Sequence, residues 1–125
     1  MFISDKEKKI SEQYLKQGYV IQDIEDMNSL DWIRDCHYEI ISKVLPKLNG
    51  SNPKDILNKI HKYISISDLN KFRLDIINKI NSTENFRENF YKISKSLIEI
   101  VVGNEIAMQL RVSLSIQLPL DDSSL

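Results

Sequence analysis

The chain has 125 residues, 42% hydrophobic and 28% charged, with 17 lysines and arginines against 18 acidic residues, a net charge of -1. That composition supports one ordinary core and argues against disorder over most of the length. So small a charge creates no field to draw the chain onto nucleic acid or an anionic membrane, and neither is expected as a partner.

The N-terminus, Met1 to Ile10, is charged where a signal peptide would be apolar, and no apolar run approaches the roughly 20 residues of a spanning helix. Ser4-Asp5-Lys6-Glu7 reads as a capping box that starts a helix running to about Gln17. Gly18 stands where a left-handed C-terminal cap is wanted, and the β-branched and aromatic run 19–24 predicts a short strand.

Ser29 is placed to cap a second helix. Its stripe is Leu30, Ile33, His37, Ile40, Ile41, Val44, Leu45 and Leu48, with Pro46 kinking or ending it. Asn52 and Pro53 launch a third helix through Ile56, Leu57, Ile60 and Ile64, broken at Ser65 or Ser67. Leu69, Phe72, Ile76, Ile77 and Ile80 mark a fourth. Ser82 is read as the cap of a fifth, along which Phe86, Phe90, Ile93, Leu97, Ile98 and Val101 align before Gly103.

From Leu110 the apolar period becomes two. Leu110, Val112, Leu114, Ile116 and Leu118 share one face; Arg111, Ser113, Ser115 and Gln117 share the other; Pro119 ends the run. The expected fold class is therefore α+β and predominantly helical: a helical block with strands near 19–24 and 110–118, in one region covering 1–125. Two strands make a poor sheet, so the missing neighbours are expected beyond Leu125. The polar face of the last strand meets either solvent or a lined pocket.

Chemistry-bearing residues are sparse. His37 and Glu39, two apart, point about 200° away from each other on a helix and do not chelate one ion. His37 reads as a residue on or beside the core stripe, and His61 as a solvated position. Cys36 has no base facing it, because adjacent helical residues diverge. It cannot form an intramolecular disulfide and no Cys-x-x-Cys pair exists, so a reducing compartment, the cytosol, fits. Glu25, Asp26, Asp31 and Asp35 read as acid near a helix start. Phe86 and Phe90 read as core, Trp32 as a packing anchor, and Asp121-Asp122 with Ser123-Ser124 as a turn.

The segment from Gln109 to Pro119, followed by Leu120 to Leu125, resembles the stretch just upstream of the iron-binding motif in oxygenases related to phytanoyl-CoA dioxygenase. It looks closest to the type found in bacterial carbohydrate-biosynthesis clusters. The opening helix with Gly18-Tyr19-Val20-Ile21 also resembles the start of such enzymes. The resemblance implies a double-stranded β-helix completed beyond residue 125, with this chain as the N-terminal part of an Fe(II)- and 2-oxoglutarate-dependent hydroxylase of a small, carbohydrate-related substrate. The metal ligands would lie past Leu125, so the chain alone would be inactive and hold no metal. Gln117 and Arg111 are the positions that would face the cofactor pocket. Two other classes stay open: a helical module that binds a partner protein by its final strand or an apolar groove, and a domain that dimerises through the 110–118 strand.

Overall fold

The computed structural model describes residues 3–48, 52–103, 105–113 and 115. They form α1 (Asp5–Gln17), α2 (Met27–Val44), α3 (Pro53–Asn58), α4 (Leu69–Asn81) and α5 (Phe86–Val102), with single 3-10 turns at Pro46–Leu48, Ile60–Lys62 and Ile66–Asp68. No strand occurs among the described residues.

The helix ends follow local chemistry closely. Ser4 Oγ accepts from the Glu7 amide at 3.2 Å while a Glu7 carboxylate oxygen accepts from the Ser4 amide at 2.7 Å, a closed capping box. At the other end Gly18 adopts φ 78°, and its N–H reaches the Tyr14 carbonyl. Asn52 caps α3, with Pro53 in its first turn. Two caps differ from expectation. Asp26, not Ser29, caps α2, and its Oδ1 takes the Ser29 amide at 2.9 Å. Ser82 closes α4 instead of opening α5; α5 begins after Asn85, whose left-handed φ of 61° a short polar side chain tolerates.

Helix α2 is the hub, touching α3, α4 and α5. Ser29 and Trp32 meet Asn89 and Phe86 in reverse order, so α2 and α5 run antiparallel. The core joins Ile33, Ile40 and Ile41 of α2 with Leu48, Ile56, Ile64, the α4 stripe Phe72, Ile76 and Ile80, and Phe86 of α5. These are largely the i, i+3, i+4 positions expected, and burying them supplies the main driving force. Phe90, expected in the core, is instead 48% exposed, since the α2 contact is taken one turn earlier by Phe86. Helix α1 leans on α5 and buries only Ile10.

The α+β assignment is overturned. Residues 19–24 form no strand: no neighbouring strand offers a ladder, and the segment is tied at Glu25 to α1 and α5 by side chains. Arg111–Ser113 are likewise not a strand. The place of a partner strand beside Val112 is taken by the Asn81 side-chain amide of α4. Alternation in sequence predicts which way side chains face; it does not create the neighbour whose backbone completes a sheet. Leu114 and residues 116–125, Gln117 among them, lie outside the described residues.

Candidate functional site

Residue Leu15 follows Ile10 by five positions, about 140° around the helix, so with Ile10 turned toward α5 it points outward. It is 84% exposed. Beyond the Gly18 turn, Tyr19 is 58% and Ile21 80% exposed, and Tyr14 in the last turn of α1 is half-exposed. Large apolar side chains left open within a few positions of one another in the chain differ from a single exposed residue such as Leu74 on α4.

The segment that presents Tyr19 and Ile21 is anchored at its far end. Lys6 Nζ of α1 donates to Glu25 Oε1 at 2.9 Å, and Ser96 Oγ of α5 donates to Glu25 Oε2 at 2.6 Å. The Ser96 hydroxyl, and then Lys6, hold the Glu25 carboxyl below its usual range. These exposed contacts set where the segment runs more than they add stability. One residue on, Asp26 caps α2. Ser29 Oγ, buried, lies 2.8 Å from Asp26 Oδ2 and 3.2 Å from Asn89 Oδ1, which locks the start of α2 to α5.

An open cleft of about 530 Å³ lies beside this junction, lined by Glu25, Asp26, Met27, Lys92, Lys95 and Glu99. Its charged side chains have partners within the lining or just outside it: Lys95 Nζ is 3.9 Å from Glu99, which also accepts from Tyr91 Oη, and Lys92 Nζ is 2.7 Å from Glu88. General acid–base work needs a group that titrates near neutrality. The shifts here run the other way. Hydrogen bonds from Ser29 lower Asp26, the Lys92 ammonium lowers Glu88, Glu88 in turn raises Lys92, and desolvation with the Glu99 hydrogen bond raises Tyr91.

The residues singled out by sequence stay apart. His37 Nδ1 sits 2.8 Å from the Ile33 carbonyl, which only accepts, so Nδ1 carries the proton and donates; the ring meets Phe86 edge-on at 5.4 Å. It is a packing histidine. His61 is exposed on the Ile60–Lys62 turn. Cys36 is partly buried, and desolvation pushes its thiol up, away from nucleophilic character. Arg111 is exposed and donates to Asn78 Oδ1 at 3.2 Å. Trp32 packs against Phe86, with ring centroids 6.1 Å apart.

The oxygenase reading is withdrawn on these findings. No strand occurs among the described residues, so these begin no double-stranded β-helix scaffold, and no three His, Cys, Asp or Glu side chains among them converge as metal ligands. With it go the iron, the 2-oxoglutarate and the small-molecule substrate. No helix of the described residues is long and apolar enough to cross a membrane.

Sequence reasoning gave no role to Asn81. Asn81 Oδ1 accepts from the Val112 N–H at 2.8 Å, while its Nδ2 donates to the Val112 carbonyl at 2.9 Å and to the Ile77 carbonyl at 2.8 Å. Nothing in the residue pattern marks Asn81; only the return of the chain to α4 reveals it. No protein-family model, curated protein or solved structure matches this chain.

Proposed function

We propose that this chain is a helical protein-interaction module that docks a partner polypeptide on the apolar face made by the end of α1 and residues 19–21. One observation carries the reading: Leu15 and Ile21, each at least 80% exposed, flank Tyr19 on a segment held by Glu25. Tyrosine and large aliphatic side chains of this kind supply most of the energy of protein interfaces, because they lose little conformational entropy for the area they bury. The unpaired thiol of Cys36 fits a module that works in the cytosol.

The test places a photo-reactive amino acid at Leu15 or Ile21 in the full chain, inside the cells that make it. A discrete protein adduct at both positions is expected, with none from the same probe at Leu74, an exposed leucine on α4 away from this face. With the probe at Leu15, Ile21→Asp abolishes the adduct, as Leu15→Asp does with the probe at Ile21, and neither substitution changes the melting temperature. Identical adduct patterns from all three positions, or no adduct from Leu15 and Ile21, refute the reading.

A further inference from the structure

In an extended chain every second side chain shares a face, and each residue brings an N–H and a C=O that need partners. From Gly18 the chain runs back beside α1 until Glu25 reaches Lys6, which lies about 18 Å of helix before that glycine. The seven residues after Gly18 cover most of that length, which extended chain does, at about 23 Å, and helical chain, at about 10 Å, does not. Yet residues 19–24 make no hydrogen bond within the described residues, by backbone or by side chain, and all but Val20 are exposed. The Gly18 cap at one end and the Glu25 ties at the other hold this backbone in place.

On the reading of Leu15 and Ile21 as a docking face, we infer that residues 19–24 dock by strand addition, pairing their unmatched backbone along the open edge of a β-sheet in another protein. The composition suits this, since Tyr19, Val20, Ile21 and Ile24 are the aromatic and β-branched types that favour strands. Tyr19 and Ile21, two apart, fall on one face of an extended chain, as the alternate side chains that give strand addition its selectivity must. The fixed ends lower the entropy lost on pairing. A second copy of this chain is the poorer occupant: two such segments alone make a two-stranded ribbon, which is marginal in water, whereas an existing sheet supplies the remaining strands.

Neighbouring residues of a paired strand turn their N–H groups to opposite sides, so only one of Gln22 and Asp23 donates to the sheet edge. The test keeps the photo-reactive probe at Leu15 of the full chain, in the cells that make it, and replaces these two residues in turn by proline, which removes the N–H but fits extended backbone. One proline variant is expected to lose at least tenfold in adduct yield and the other to stay within twofold of wild type, as both alanine variants do. The cross-linked residue of the partner is expected on or beside an edge strand. Because residues 19–24 donate no bond inside the fold, both proline variants keep the melting temperature of wild type; should one melt lower, an ester in place of that amide in a semisynthetic chain takes its place. Adduct kept in both proline variants, lost in both, or lost with alanine overturns strand addition and leaves the docking face standing, as does a cross-link confined to a helical surface. No adduct even from the unsubstituted chain removes the docking face itself, and strand addition with it. Adducts only between copies of this chain overturn the choice of partner.

Discussion

Replacing Asn81 separates its clamp from the rest of the fold. Asn81→Ala removes three hydrogen bonds of 2.8 to 2.9 Å, each worth a net of about 1 kcal/mol. Two of them tether Val112, and losing its partial burial adds roughly another 1 kcal/mol. The freed segment regains backbone entropy of about 1–2 kcal/mol per residue, and its polar groups rehydrate, which offsets part of the loss. The expected destabilisation is therefore about 1–3 kcal/mol, a fall of roughly 4–10 °C in Tm by calorimetry for a chain of this size. Amide exchange at Val112 should accelerate far more than exchange along α2. Asn81→Asp sharpens the test. It keeps an acceptor for the Val112 N–H but turns a carboxylate oxygen toward the Val112 and Ile77 carbonyls, so at neutral pH it should be no better than alanine. Those carbonyls favour the protonated acid, which raises its folded pKa; its single O–H serves only one of the two, so the recovery is partial, fully developed below the ordinary carboxylate value and gone as pH rises through the raised one. If Val112 exchange in Asn81→Ala matches wild type, the amide is not what holds the segment, and the clamp argument fails.

Two further outcomes check the fold and its junction. Ile76, 0% exposed at the middle of α4, should cost about 2–5 kcal/mol as Ile76→Ala, measured by urea unfolding with an unchanged m-value; a loss below about 1 kcal/mol would mean that this core is loosely packed. At α2, hydrogen bonds from Ser29 hold Asp26 below its usual range, so its contribution is present above the ordinary carboxylate value and is lost as pH falls through the lower folded one. Asp26→Asn still accepts from the Ser29 amide but does not titrate; it should flatten the acid-dependent rise in exchange at the start of α2, and an unaltered profile would assign that rise elsewhere.

Local signals were legible wherever a single turn of chain contains both partners. The Ser4 and Glu7 box, the Gly18 cap, the Asn52-Pro53 start and the α4 stripe each need only residues within about four positions, so the sequence determined them without help from the fold. The caps that went wrong illustrate the limit: Ser29 and Ser82 are good capping residues, yet Asp26 and Asn85 stand where the helix axes must begin for α2 and α5 to meet. Period-two alternation in 110–118 and β-branched residues in 19–24 are also local, but a sheet is not. Whether an extended segment pairs depends on what lies beside it, and here that is Asn81 in one case and Glu25 with Lys6 and Ser96 in the other. Helical hydrogen bonds close within the segment that makes them, so sequence alone determined the helices; extended segments borrow their partners from remote parts of the chain, and only the tertiary structure decided who those partners are.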